Sequence, residues 1–344
     1  LCMSNLNWEN LYAERIGGKG YGKSTQIYKF EKIKRAKRAA IADFPQRTLL
    51  DFGIGENDEM AAVPVRNAMK LEVDKPENRG YADNGIEVFK EAAAKFMKRE
   101  FGVVLDASSE INHSIGSKPA LAMLPGAFIN PGDITLMTVP GYPVAGTYTK
   151  YYGGEVYQLP LRAENQFLPD LSAIPDAVLE RAKLLVLNYP NSPTGALAPR
   201  SFFDKVVAFA HKHEIVVVND AAHIMLTYRN APESFLQVDG AKEIGAEIHS
   251  LSKGFNMIGW RLGFIAGCPQ VVRPFADIKD NTDSGQFIAI QKAGVTALEA
   301  ESIPRDVRSK YKRRLEKLVK TLSANGFSAT IPGGTYFLYV PAPK

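Results

Sequence analysis

The 344-residue chain has little cysteine, tryptophan or histidine and no long apolar run. Its two cysteines, Cys2 and Cys268, form neither a metal-type nor a redox-type spacing. That excludes thiolate metal centres, disulfide scaffolds and dithiol redox chemistry, and it indicates a reducing compartment. No stretch approaches the roughly 20 apolar residues of a membrane span, and no secretory leader is legible. The expectation is a cytoplasmic protein with no membrane partner. Neither sign of charge dominates, since 42 Lys and Arg stand against 37 Asp and Glu, a net charge of +5. One basic run, Lys29 to Arg38, carries six basic residues against Glu31. Phe30, Ile33, Ile41 and Phe44 recur there at near-helical spacing, which predicts an amphipathic helix with a solvated basic face. This reading is preferred to nucleic-acid binding, which would want a second basic patch. Repeats and low-complexity segments are also missing.

What is there is a globular composition, 45% hydrophobic, enough for a large domain and a smaller one. Residues 1–47 read as a polar N-terminal arm and small-domain segment, 48–285 as the large domain and 286–344 as a C-terminal α+β domain. From Thr48 onward, short apolar runs alternate with helical patterns. The run Leu49 to Ile54 is followed by helices at Val63 to Val73 and Val88 to Phe101. Strands are expected at Ile111 to Ile115, Ile134 to Val139, Glu155 to Leu161, Leu184 to Asn188, Ile215 to Asn219, Ile248 to Leu251 and Phe264 to Gly267. Helices around Val178 and over Phe202 to His213 separate several of them. This rhythm predicts an α/β fold with a largely parallel sheet, helices on both faces and functional loops at the carboxyl ends of the strands. Two long helices, Gln286 to Ala300 and Asp306 to Asn325, then precede expected strands at Phe327 to Ile331 and Tyr336 to Val340.

The chemistry concentrates in Ser250-Leu-Ser-Lys253-Gly-Phe-Asn-Met-Ile-Gly-Trp-Arg261-Leu-Gly263. Here a lysine follows two hydroxyls, with an arginine eight residues on, between two apolar runs that read as neighbouring strands. A lysine at the mouth of a sheet suits an amine that condenses with a carbonyl while its neighbours grip a dianionic phosphate, the layout of a pyridoxal phosphate site. A second phosphate-holding feature is Gly116-Ser117-Lys118, where a strand turns through glycine into a helix with Pro119 in its first turn. Two rival motifs compete. Gly17 to Ser24 fits the phosphate loop of nucleoside triphosphatases, but the residues before it are too polar for the strand that loop requires. Ser250-Leu-Ser-Lys253 fits the Ser-x-x-Lys motif of penicillin-recognising hydrolases, and Gly254 is expected to deny it the helix on which those side chains stack. A non-catalytic cofactor-binding module is a third alternative, separable by turnover.

From about Tyr28 to its last residue the chain resembles the fold-type I, class I/II aminotransferases, and its lysine string matches their signature without a mismatch. Tyr28-Lys-Phe-Glu-Lys-Ile33 and Gly53-Ile-Gly55 most resemble the LL-diaminopimelate aminotransferases; alanine, aspartate or aromatic aminotransferases are the alternative. The resemblance implies pyridoxal 5'-phosphate as cofactor, no metal, small amino-acid and keto-acid substrates, and a homodimer with active sites at the subunit interface. It further implies that Lys253 holds the cofactor covalently and moves a proton, and that Asp220 pairs with the pyridinium nitrogen. Tyr142 would stack on the ring, while Ser117, Lys118, Ser250, Ser252 and Arg261 bind the phosphate, with Tyr81 reaching across from the other subunit. Tyr28 and Gly55 would lie beside the substrate.

Two positions depart from the family pattern. Ser192, preceded by Asn191, stands where an asparagine usually precedes Pro-Thr-Gly; either residue could face the cofactor's phenolic oxygen, and Asn191 is the one expected to, an amide being the longer donor. His223 stands where a tyrosine usually donates to the same oxygen, and an imidazole there is expected to titrate near neutrality and change the pH profile. The family also binds the substrate carboxylate with an arginine in its C-terminal domain. No arginine near the end of this chain suits that role, so the expectation is a fragment that keeps cofactor ligands and turns over slowly.

Overall fold

Strands rich in Val, Ile and Leu are apolar on both faces and need cover on both sides, which the computed structural model provides. It describes residues 7–23, 29–53, 55–229 and 231–343. The chain divides into two compact units, Leu1–Glu56 and Asn57–Lys344.

The first unit has three short turns of 3-10 helix, Trp8–Asn10, Glu14–Ile16 and Gly18–Gly20, followed by the helix Lys29–Asp43. The basic run is therefore helical, as its spacing predicts. Glu31 accepts from Arg35 at 3.1 Å, one helical turn on, and from Arg38 at 3.2 Å, two turns on along the same face. The triphosphatase motif lacks its scaffold, because the turn Glu14–Ile16 precedes it where a buried strand is required. Residues 49–53 form no strand, although their apolar run suggested one. Asp51 accepts from Gly53 N at 2.9 Å and from Lys37 at 2.8 Å, a local turn that competes with strand pairing and leaves Phe52 84% exposed.

The second unit is built on seven strands: β1 (Ile111–Ser114), β2 (Ile134–Val139), β3 (Glu155–Pro160), β4 (Ala182–Leu187), β5 (Val216–Asp220), β6 (Gly245–Ser250) and β7 (Gly263–Gly267). Their order is β1-β7-β6-β5-β4-β2-β3, with β7 antiparallel to both neighbours and the other pairs parallel. In β2, β4, β5 and β7 the side-chain period of two divides the strand between two apolar clusters. Leu184, Val186, Val218 and Ile248 pack with Leu121, Leu124 and Phe275, on the helices Ser117–Phe128 and Pro269–Asp280. Leu185, Leu187, Val217 and Phe264 pack with Phe89, Phe96 and Phe203, on the helices Glu87–Phe101 and Arg200–His213. Among the described residues no helix is long and apolar enough to cross a membrane.

Register decides where the loops meet. Gly263 pairs with both Ser114 and Ser250, so β7 begins at the edge where β1 and β6 end. The carboxyl ends of β2, β4 and β5 share that edge through parallel pairing.

The strands expected at 327–331 and 336–340 do not form. Among the described residues this segment has one bridge, Thr227 to Gly334, and isolated bonds such as Gly334 N to Gly195 O at 2.9 Å. An apolar run becomes a strand only beside a partner that completes its hydrogen-bond ladder, and no such partner lies beside it among the described residues.

Candidate active site

Lys253 owes its position to the end of β6. Ser250 Oγ accepts from Ser252 N at 3.1 Å and caps a single helical turn, Leu251–Gly254, that carries the lysine. The expectation that Gly254 denies the motif a helical turn is thus wrong: an N-cap serine is enough to start one. Asn57 Nδ2 donates to the Lys253 carbonyl at 2.8 Å, and Lys253 Nζ lies 5.5 Å from the centre of the Tyr336 ring.

An anion cradle adjoins this turn. Gly116 caps the helix Ser117–Phe128 with φ of 81°, which places Ser117 and Lys118 in the first turn, at the end where the helix dipole favours negative charge. Any Cβ at 116 would overlap the Arg261 guanidinium, so glycine is required both for its backbone angle and for the close approach of that cation. Arg261 Nη1 donates to Ser252 Oγ at 3.2 Å and to the Ile258 carbonyl at 2.9 Å. Five residues singled out from sequence, Ser117, Lys118, Ser250, Ser252 and Arg261, are gathered at one corner of the sheet.

Asp220 ends β5 at 4% exposure, with Ala222 N donating to its Oδ1 at 3.2 Å. Burial pushes its carboxyl up to about 6, against the pull of the His249 and Lys253 charges. His223 is buried as well, and its Nδ1 has no hydrogen-bond partner among the described residues. Burial drives the imidazole down to about 3, so it stays neutral at physiological pH, and the expected titration near neutrality is corrected. Its ring packs against Tyr336 and Phe337, with centroids 5.4 and 5.7 Å away.

Tyr142, Asn188 and Asp220 line one small cleft with Leu121. Asn191 is fully buried; its Oδ1 accepts from Thr194 N and Oγ1, and its amide donates to the Pro140 carbonyl at 3.2 Å. Its side chain therefore also braces its own loop. Tyr81 is 84% exposed. Gly55 belongs to the first unit, and Tyr28 lies outside the described residues.

Sequence reasoning missed Asn57, Asn188, Gln286 and Tyr336. Asn188 ties its amide to the Asp220 carbonyl at 2.9 Å and accepts from Ser192 N at 3.0 Å, joining two loops of the site. Its position at the end of a buried strand was a usable signal. Tyr336, far from Lys253 along the chain, left none.

The family model for aminotransferase class I and II matches residues 47–344. The chain belongs to the class I and II aminotransferases. This aminotransferase is 57% identical over 336 residues to the LL-diaminopimelate aminotransferase of Methanocaldococcus jannaschii, covering 97% of the chain and 80% of that relative. It is 55% identical to the enzyme of that name from Methanococcus maripaludis, over 97% of the chain and 81% of the relative. Its fold is similar to the apo structure of BacF from Bacillus subtilis, with a TM-score of 0.89 and 32% identity, covering 93% of this chain and 82% of that one.

Aminotransferases of this family depend on pyridoxal phosphate, and the residues present fit that group. The cradle joins a helix N-terminus, two hydroxyls and a guanidinium, as a dianionic phosphate requires. Asp220 is a buried carboxylate whose charge a cationic ring nitrogen would stabilise, and His223 Nδ1 is a buried polar atom that a ring oxygen would satisfy. Among the described residues no group of His, Cys, Asp and Glu could hold a metal ion.

Proposed function

We propose that this aminotransferase moves the amino group between L-glutamate and tetrahydrodipicolinate, forming LL-diaminopimelate and 2-oxoglutarate for lysine synthesis. The observation that carries the substrate is the 57% identity, across 97% of the chain, to an enzyme of that name. Bound pyridoxal phosphate supplies a carbonyl carbon for the amine and a ring that accepts electrons. Lys253 would hold the cofactor through its amine, and once the substrate amine had displaced it, the freed amine would take the proton from the substrate Cα. Asp220 keeps the ring nitrogen protonated, since an ionised carboxylate in a buried site is stabilised by the opposing cation. Ser117, Lys118, Ser250, Ser252 and Arg261 fix the phosphate, and Tyr142 covers the ring face. Asn191 and His223 would hold the phenolic oxygen.

The protein acts as a cytoplasmic homodimer in which Tyr81 serves the neighbouring subunit's phosphate. In support, Tyr81 is 84% exposed, and Leu50, Phe52, Met60 and Leu71 are each at least 70% exposed or nearly so, at 73%, 84%, 70% and 69%. The test is an amine-donor panel against 2-oxoglutarate with the purified protein. Preference for LL-diaminopimelate over alanine, aspartate and tyrosine supports the assignment, and the reverse preference removes it.

A further inference from the structure

Lys279 is 1% exposed, an ammonium that the fold can bury only if its charge and donors are matched. Its Nζ donates to Asp283 Oδ1 at 2.6 Å and to the Asp83 carbonyl. Asp283 Oδ1 also accepts from Gly285 N at 2.8 Å. Gly285 has φ of +84°, and a Cβ there would come within 2.7 Å of the Ala82 carbonyl carbon, so the loop lies directly on this glycine. Asp83 has φ of 25°, a backbone state that persists only where its surroundings enforce it. Asn84 completes the enforcement. Its amide donates to Asp280 Oδ1 at 2.6 Å, its Oδ1 accepts from Asn112 at 2.8 Å, and its carbonyl accepts from His113 N at 3.3 Å.

The same cluster reaches the anion cradle. Gln286 Nε2 donates to the carbonyls of Trp260 and Arg261, each at 2.8 Å, and its Oε1 lies 3.0 Å from His113 Nε2. Gln291 closes the circuit, donating to the Gln286 carbonyl at 2.8 Å and accepting from Ile86 N at 2.9 Å. Residues 279–291 thus hold two things at once: the backbone of Arg261, and the Ala82–Ile86 loop that follows exposed Tyr81. A buried lysine, two amides and a carboxylate are more than a solvent-exposed turn needs. They make sense where the loop's direction matters.

We propose that Lys279 is a positioning residue for the partner subunit's cofactor site, aiming Tyr81 by fixing the loop behind it, while Gln286 keys that loop to Arg261 of its own chain. This rests on the role of Tyr81 between subunits given above. The test uses mixed dimers of two differently tagged chains, one of which carries Lys253→Ala, so that a single site can bind the cofactor covalently. The dissociation constant of pyridoxal phosphate is read from the visible absorbance of lysine-bound cofactor, which the Lys253→Ala site cannot give. Lys279→Met in the Lys253→Ala chain weakens the live site on the other chain by about tenfold, and in the live chain it changes the constant by less than about twofold. A merely structural lysine would weaken the site of its own chain. Gln286→Met weakens the live site from either chain, and it carries the test if Lys279→Met does not fold. Tyr81→Phe in the Lys253→Ala chain is the control. If it weakens the live site while Lys279→Met in that chain does not, the proposal on Lys279 falls alone; if Tyr81→Phe is silent, the role of Tyr81 falls and Lys279 falls with it. Loss from Gln286→Met confined to the live chain also overturns the link to the loop.

Discussion

The anion cradle and the Asp220–His223 corner sit at the same edge of one sheet, but the chain satisfies them to different degrees. In the cradle, Ser250 takes Ser252 N, Ser252 takes Arg261, and Arg261 is anchored again on the Ile258 carbonyl. At the corner, Asp220 is a carboxylate pushed up to about 6 by burial, and His223 Nδ1 is buried without a partner among the described residues. The Ser250 and Ser252 hydroxyls and the Arg261 guanidinium are already paired by local capping and turn geometry, so the cradle costs the fold little. The corner holds polar groups that the protein interior alone does not repay, and such groups are retained where a bound group completes them. One site therefore sets hydroxyls and a guanidinium already paired within the chain beside a buried carboxylate raised by burial and a buried imidazole nitrogen with no partner among the described residues.

The largest effect should come from the cradle side. Lys253→Ala is expected to lower transamination by more than about a thousandfold, the scale of a lost nucleophile and proton carrier, with the fold retained. Steady-state kinetics measures the loss. Borohydride reduction of the native enzyme followed by peptide mapping checks the residue, and a pyridoxyl label on any other lysine would sink the assignment.

Asp220→Asn tests the corner in two opposing ways. Catalysis should drop by roughly a hundredfold or more, because the ring nitrogen loses its partner charge. The cofactor-free protein should become more stable. Asp220 rises from 3.8 to about 6 in the fold, so its protonated form suits the native state, and its contribution is fully present below about 3.8 and lost as pH rises through 6. Above that pH the wild type therefore carries a penalty on the order of 2 to 3 kcal/mol that the asparagine variant escapes. Urea unfolding of both cofactor-free proteins at pH 5 and pH 8 measures it. Equal stabilities at pH 8 would mean that the corner is not strained in the way described.

The smallest effect belongs to His223. With its imidazole driven down to about 3, the ring should show no titration between pH 5 and 9 by NMR, and His223→Phe should leave the pH dependence of kcat in that range unshifted while lowering kcat by less than about tenfold. The depressed value also predicts stability that is present above the free histidine range and is lost as pH falls from about 6.5 toward 3. A His223 resonance titrating near pH 7 would show that the imidazole is solvated, and the contrast with the cradle would disappear.

The legible parts of this protein share a cause. Strands β2, β4, β5 and β7 are buried on both faces, so each reads mainly as an apolar run whose type does not depend on its neighbours, and the structure displaces the expected ends of β2 to β7 by three residues at most. The lysine string was readable because its cap, its lysine and its arginine all lie within residues 250–261, close together in the chain. The failures share the opposite cause. Residues 49–53 and 327–340 are as apolar as some true strands, but pairing requires a neighbour that composition does not name. The one-turn helix under Lys253 depended on whether Ser250 would cap it.

Sequence alone determined the alternation of strands and helices, the placing of Lys253 with Ser250, Ser252 and Arg261 between two strands, and the aspartate at the end of β5, because each is encoded by residues close together in the chain. Tertiary structure alone decided which distant groups meet them. The pairing of Gly263 with both Ser114 and Ser250 brings Gly116 against Arg261, and the return of residues 333–337 lays Tyr336 beside Lys253 and His223. It also decided protonation: burial, a property of the packed whole, raises Asp220 and silences His223, whereas the same residues in an extended chain would titrate at their ordinary values.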